Sequence, residues 1–217
     1  MEGMAPAPPK PPKPRLRGVS HAIGAIFAAM GAMHLSLEAP TPNVAMAVHI
    51  YGVCLVLLFC VSAFYHVPTW TPEVRARLRR VDRSMIYVFV AGTYTPVLEM
   101  LGAGVSPHTA SIVWSAALIG ITLTLFFRGL PRYVTVTPYL VLGWGAIAIV
   151  PSILERFGPF PFWLILLGGL AYSIGALIYA LRSPDPAPRT FGYHEIFHFL
   201  VLVAAGCHWV AIREMVT

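Results

Sequence analysis

The chain has 217 residues, of which 57% are apolar and only 11% are charged, and its mean hydropathy is +0.72. Ordinary soluble domains are about 25% charged, so this composition excludes a water-soluble globular protein. It indicates a polytopic membrane protein whose membrane region leaves too few residues for a second domain. The net charge of +6 is better explained by basic loops on one side of a membrane than by nucleic-acid binding.

The chain divides into a short polar tail and a long apolar region. Residues 1–17 are rich in proline and basic residues, a composition that predicts disorder. Residues 18–217 form a membrane domain with seven apolar segments, each near the roughly 20 residues that a spanning helix needs. The segments lie near residues 19–37, 45–67, 82–101, 109–128, 133–151, 162–182 and 193–213. The sequence therefore predicts an all-α membrane protein with seven transmembrane helices, the fifth being the least regular because it contains Pro138, Gly143 and Gly145.

The basic residues predict the orientation of these helices. Of the 15 Lys and Arg residues, only Arg156 and Arg213 fall on one predicted side of the membrane, and all the others fall on the opposite side. Loops with an excess of Lys and Arg stay in the cytoplasm. The N-terminus is therefore predicted to be cytoplasmic and the C-terminus to lie outside, which requires an odd number of spans.

Five polar residues then share one depth, near the cytoplasmic ends of the second, third and seventh segments. They are Ser62, His66, Asp82, His194 and His198. Ionisable groups at membrane depth are costly, so they are functional candidates by default. His194 and His198 are four residues apart on one helix face, about 6 Å along its axis. Three neutral imidazoles and a water would make an open, catalytic type of zinc site.

The cluster predicts specific roles and leaves alternatives open. His66, His194 and His198 are the predicted zinc ligands, and Asp82 and Ser62 are the predicted catalytic residues beside the metal. Ser62, His66 and Asp82 also have the residue types of a serine-hydrolase triad, although the sequence has no nucleophile elbow. A purely structural alternative is that each polar side chain bonds to a neighbouring helix.

Two further residues, His21 and Glu195, lie near this depth. Residues 194–198 read HEIFH, which matches the HExxH pattern of zinc proteases, where the glutamate is the general base. Glu195 is rotated by about 100° from His194, and we interpret it instead as a surface charge at the cytoplasmic end of the helix. His21 starts the first segment at the same depth. It is predicted to bond to a neighbouring backbone or side chain, and it is a reserve metal ligand.

Three motifs resemble the hemolysin III branch of the progestin and adipoQ receptor family. They are SAFYH at 62–66, VDRSMIYVFVAGTYTP at 81–96 and YHEIFHFLVLVAAGCHW at 193–209. The resemblance implies a zinc ion near the cytoplasmic face, bound by His66, His194 and His198, with Asp82 and Ser62 close to it. It also implies a multi-pass integral membrane protein, located in a bacterial inner (plasma) membrane. Two departures concern the mouth of the site: the acidic residue often found just before the first helix is absent from RLRGVSHA, and Arg83 stands where histidine is common.

The family is also similar to alkaline ceramidases, which suggests the activity. The leading hypothesis is a zinc-dependent hydrolase of lipid-like amides or esters, with membrane lipids as partners or substrates. The alternatives are a non-enzymatic receptor or membrane-homeostasis regulator with structural zinc, and a cytolytic hemolysin-like protein. An HExxH intramembrane protease is a further alternative. The sequence predicts neither the oligomeric state nor the identity of the lipid.

Overall fold

The structure is a computed structural model that describes residues 13–127 and 132–217, and these ranges are almost entirely helical. Residues 1–12 of the predicted tail and Arg128 lie outside the described residues. The helices are α1 (Val19–Glu38), α2 (Pro42–His66), α3 (Pro72–Leu101), α4 (Thr109–Phe126), α5 (Arg132–Trp144), α6 (Val150–Phe157), α7 (Pro159–Leu181) and α8 (Tyr193–Val216).

The described part of the chain contains six helices that are long and apolar enough to cross a membrane, namely α1, α2, α3, α4, α7 and α8. The segments Val136–Ala148 and Val150–Phe157 meet at a bend of 44° and raise the count to seven if they form one broken span. The protein is therefore an all-helical, multi-pass membrane protein. The irregular fifth segment predicted at 133–151 is this broken region.

The second and third helices begin at capped prolines, earlier than hydropathy alone indicates. The Thr41 side chain accepts a hydrogen bond from the main-chain N–H of Val44, and Thr71 accepts one from Val74. Proline follows each threonine at the first helical position, where its missing N–H has no cost. The predicted segment 82–101 therefore starts ten residues too late. The 30 residues of α3 span about 45 Å, more than the roughly 30 Å hydrocarbon core.

The break between α5 and α6 is supported by a side chain from α3. A 3₁₀ turn at Gly145–Ala148 separates the two helices. The Tyr94 hydroxyl donates to the carbonyl oxygen of Leu142 at 2.8 Å and lies 3.3 Å from that of Gly143. In a membrane, backbone groups released by a broken helix need protein partners because no water is available. Tyr94 supplies one, and it ties the broken span to α3.

The helices pack in a ring around an internal cavity. Helix α1 packs against α2 and α8, α2 against α3, α3 against α4, and α7 against α8, while α5 contacts α4 and α7. The α1–α8 contact joins the first and last helices. It is close because α1 has a glycine there: a Cβ at Gly31 would lie only 2.7 Å from Nε1 of Trp209. The end of the ring where α2 ends and α1, α3 and α8 begin is called the site end below.

Candidate metal centre

Three buried histidines meet at the site end, as the sequence predicted. His66 is the last residue of α2, and His194 and His198 lie one turn apart at the start of α8. The Nε2 atoms of His66 and His194 are 3.2 Å apart. Each of the three residues offers a nitrogen within 4.8 Å of those of the other two. Residues 128 positions apart in the chain are therefore brought together where the end of α2 meets the start of α8.

The three imidazoles fit a metal ion. Zinc–nitrogen bonds of 2.0–2.1 Å in tetrahedral geometry place two ligand nitrogens about 3.3 Å apart, close to the separation of His66 and His194. Nδ1 of His198 is buried and has no hydrogen-bond partner among the described residues. Buried polar atoms rarely lack a partner, so this nitrogen is suited to a ligand that accepts a lone pair. An all-imidazole set is typical of zinc and other transition metals rather than calcium or magnesium.

His21 supports this cluster from α1. Its ring stacks on that of His198 with centroids 3.9 Å apart and planes at 21°. Its Nδ1 is 2.8 Å from Oγ of Ser62, and its Nε2 is 3.3 Å from the carbonyl oxygen of His198. The prediction that His21 bonds to neighbouring groups is confirmed.

Asp82 and Ser62 line the same cavity as the three histidines, and Asp82 lies near enough to Ser62 to interact with its hydroxyl group. A carbonyl oxygen only accepts, so Nε2 of His21 must donate to His198. If His21 is neutral, its Nδ1 then accepts from Ser62. If His21 carries both protons, Nδ1 instead donates to Ser62. The direction of this hydrogen bond therefore depends on the protonation of His21.

Glu195 is not the surface charge that the sequence suggested. Its side chain is only 4% exposed and forms an ion pair with Nε of Arg17. It also accepts a hydrogen bond of 2.8 Å from the main-chain N–H of Gly192, immediately before α8. A glutamate at the third helical position that bonds back to the cap residue stabilises the helix start. The HExxH glutamate therefore caps α8, and its spacing from Gly192 was the signal in the sequence that could have shown this.

The segment before α1 lies across the site end. The main-chain N–H groups of Arg15 and Leu16 donate to the carbonyl oxygens of Arg189 and Thr190, at 3.1 and 3.3 Å. These two acceptors belong to the loop between α7 and α8. Together with the ion pair of Arg17, these bonds attach the N-terminal segment to the start of the last helix.

A cavity of about 360 Å³ extends from the histidines into the bundle. On α3, its lining runs from Arg75 to Val97, and the part from Asp82 to Val97 is about 22 Å long along the helix axis. Beyond the site end the wall is mostly apolar. The apolar lining residues include Ile86, Phe89, Val97, Ile149, Ile153 and Ile165.

The cavity wall has a few polar groups that the sequence did not point to. His208, ten residues beyond His198 on α8, lines the same cavity, and its Nε2 donates to the carbonyl oxygen of Ile165 at 3.2 Å. Its ring packs edge-on against Tyr172, with centroids 5.5 Å apart. Hydropathy cannot reveal such residues, because one histidine or tyrosine hardly changes the mean of an apolar segment.

Comparison with known proteins gives the relatives of this chain. The protein-family model described as Haemolysin-III related matches residues 10–209. Hemolysin-3 from Bacillus cereus is 31% identical over 190 residues, which cover 85% of this chain and 83% of that protein. The Hemolysin-3 homolog of Bacillus subtilis (strain 168) is 32% identical over 190 residues, 85% of each chain. The adiponectin receptor protein of Drosophila melanogaster is 50% identical over 58 residues, 24% of this chain and 13% of that protein.

The family match spans nearly the whole described membrane region, including His66, Asp82, His194 and His198. It agrees with the resemblance that the three motifs suggested. This chain belongs to the haemolysin-III related family, and adiponectin-receptor-like proteins are among its relatives.

Proposed function

We propose that this protein is a zinc-dependent hydrolase of lipid-like amides or esters. The observation that carries the proposal is the position of the three-histidine cluster at one end of a long apolar cavity, with Asp82 and Ser62 beside it. Catalytic sites are expected in concave pockets that are mostly apolar and hold a few convergent polar groups. In this proposal His66, His194 and His198 hold the zinc ion.

The surrounding residues would move the protons of a hydrolysis. When bound, zinc would polarise the scissile carbonyl group and activate a water molecule. The Asp82 carboxylate would accept the proton from the attacking water and return it to the leaving nitrogen or oxygen. Ser62 bonds to His21 and lies near Asp82, so it would hold Asp82 in place and share the transferred proton with His21.

The cavity would bind the apolar part of the substrate. Its wall along α3 is about 22 Å long from Asp82 to Val97, a length that suits a long acyl chain. Burying that chain would exclude water from the reacting group and hold the carbonyl near the histidines. By the charge asymmetry of the loops, the N-terminus and the site end would face the cytoplasm of a plasma membrane. The substrate would then enter from the inner leaflet.

The first test measures metal content. Purified protein is expected to hold about one zinc ion per chain, and His66→Ala, His194→Ala and His198→Ala are each expected to lose it, because two imidazoles bind zinc poorly. Elemental analysis of folded, monodisperse protein measures this. His208→Ala is the matched control, a histidine of α8 that lines the same cavity ten residues further along, and it should keep its zinc. Full zinc in all three ligand variants would refute the assignment.

The second test separates catalysis from metal binding. Asp82→Asn keeps the size of the side chain but removes its ability to accept a proton. Zinc should remain, with affinity reduced by roughly 10–100-fold at most, while hydrolysis of any lipid amide or ester that the wild type cleaves should fall about 10²–10⁴-fold. Glu195→Gln should stay active per folded molecule. The opposite result, with Glu195 essential and Asp82 dispensable, would favour a protease-like mechanism instead.

A receptor or regulator of membrane state is the second candidate function. The match to an adiponectin receptor protein favours it, and zinc would then be structural. Closed sites with four protein ligands are structural, whereas an open position indicates catalysis. If the wild type binds lipids but cleaves none in a broad panel of amides and esters, this second function replaces the first.

A further inference from the structure

Helix α3 presents one continuous face to the cavity, and the polarity of that face changes along its length. In chain order the lining residues of this face are Arg75, Arg79, Asp82, Ile86, Phe89, Val90, Thr93 and Val97. The face is basic for its first two turns, carries a carboxyl group at the level of the histidines, and is mostly apolar beyond. Residues three or four apart share a helix face, so this order is also the order in space.

The two arginines at the start of this face form no ion pair with the described residues. Within the described ranges, neither Arg75 nor Arg79 lies within 4.0 Å of a carboxylate, whereas Arg17 pairs with Glu195. Arg80, on another face of α3, donates to the carbonyl oxygen of Leu125 at 2.7 Å and so serves helix packing. A guanidinium group has a fixed fork of donors that matches carboxylate and phosphate groups. The guanidinium groups of Arg75 and Arg79 are therefore available, among the described residues, to bind a carboxylate or phosphate group.

Positive charge is concentrated at this entrance. Burial, followed by the charges of Arg75 and Arg17, lowers the pKa of the Lys13 ammonium group below its ordinary value. Arg83 adds a further cationic group to the cavity lining, next to Asp82. Charge asymmetry across a membrane explains in general why arginines gather at a cytoplasmic end. It is sufficient for Arg77, which does not line the cavity. It does not explain why Arg75 and Arg79 line the same cavity as the histidines.

We infer that the ligand of this cavity is an anionic, single-chain amphiphile whose carboxylate or phosphate group binds Arg75 and Arg79 while its acyl chain fills the apolar part. Arg79 and Arg75 precede Asp82 by three and seven residues, or about 4.5 and 10.5 Å along the helix axis. The anionic group would therefore lie about one to two helical turns from the level of Asp82. The statement that the bond between head and chain is cleaved there rests on the proposed function, but the binding preference does not.

Binding of matched lipid pairs to the zinc-loaded, full-length protein in phosphatidylcholine nanodiscs tests the inference. The first pair is N-palmitoylglycine and N-palmitoylethanolamine, which differ in a carboxylate that is ionised at pH 7. The second pair is palmitoyl lysophosphatidate and monopalmitoylglycerol, which differ in a phosphate. In each pair the anionic member is expected to bind at least about tenfold more tightly, as a charge-assisted hydrogen bond allows. The preference should weaken as salt is added.

The variants assign that preference to residues. Arg75→Gln with Arg79→Gln should remove the tenfold preference while leaving the affinity for the neutral lipids unchanged, and each single variant should remove part of it. Arg77→Gln, an exposed arginine of the same helix that does not line the cavity, should change nothing. Because Arg75 and Arg79 are exposed, these variants should fold, which the unchanged binding of neutral lipid verifies.

The outcomes separate this inference from the proposed hydrolase. Equal affinity for both members of each pair would overturn it, even if neutral amides are cleaved. A preference that survives in the double variant would also overturn it, because the anion would then be held by the metal. If millimolar inorganic phosphate competes for the site as well as the lysolipid does, the site binds free anions rather than lipid head groups. That result would overturn the inference. A preference for anions that depends on both arginines supports the inference even if no lipid is hydrolysed.

Discussion

Replacing Glu195 by glutamine distinguishes a structural from a catalytic role for the glutamate of the HExxH sequence. The carboxylate forms an ion pair with Arg17 and accepts the main-chain N–H of Gly192. Glutamine keeps a carbonyl oxygen that can accept from Gly192, but it removes the charge opposite Arg17. The side chain of Arg17 is 17% exposed, so it can recover only part of its hydration.

The expected loss of stability follows from these two contacts. A hydrogen bond to a charged group contributes about 1.5–3 kcal/mol, so Glu195→Gln should lower the free energy of unfolding by about that amount. Glu195→Ala removes both contacts and should cost about 3–5 kcal/mol, as breaking other buried ion pairs does. In a double-mutant cycle with Arg17→Gln, the coupling energy should be about 1–3 kcal/mol.

Unfolding in detergent, followed in parallel with zinc content and lipid hydrolysis per folded molecule, measures both roles. The structural role requires lower stability with unchanged zinc and activity. Loss of zinc or activity at unchanged stability would refute it, as would a coupling energy near zero with Arg17.

Two further predictions concern packing and orientation. The hydroxyl of Tyr51 is buried without a hydrogen-bond partner among the described residues, so Tyr51→Phe should leave the free energy of unfolding unchanged or raise it, by up to about 1–3 kcal/mol. Tyr94→Phe removes the bond to Leu142 and should lower the free energy of unfolding by about 0.5–1.5 kcal/mol. Thermal unfolding of the two variants measures this, and a Tyr94→Phe variant more stable than Tyr51→Phe would contradict these contacts. A reporter enzyme fused after Thr217 should be active only outside the cytoplasm, and a cysteine placed in the 67–71 loop should react only with permeant reagents. A cytoplasmic Thr217 would show that the charge rule misplaces this chain.

The membrane helices and the three-histidine cluster could be predicted because each depends on a local pattern. Long apolar runs define the spans, and the four-residue spacing of His194 and His198 defines one helix face. The position of His66 beside them could be inferred from its depth alone, since it ends an apolar run at the same side. These patterns can be recognised without knowing which helices are neighbours.

The features that could not be predicted from the sequence are polar extensions of helices and contacts between distant helices. Hydropathy missed the first ten residues of α3, which are polar, although Thr71 and Pro72 mark the helix start. The ion pair of Glu195 joins residues 178 positions apart, and no local pattern encodes such a partner. The contacts of His21 with Ser62 and His198 require the packing of α1 between α2 and α8, which a list of spans does not specify.

The contact between the first and last helices has a consequence for how the protein is made. At about 5–20 residues per second, a ribosome needs roughly 6–26 s to synthesise the 128 residues between His66 and His194. During that interval His21 and His66 are in the membrane without their partners from α8, the carbonyl oxygen of His198 and the ring of His194. In the proposed zinc enzyme, loading of the metal would therefore follow insertion of the final helix. A chain truncated before α8 would leave His66 and Nε2 of His21 without these partners in an apolar interior, so we expect cellular proteases to remove it.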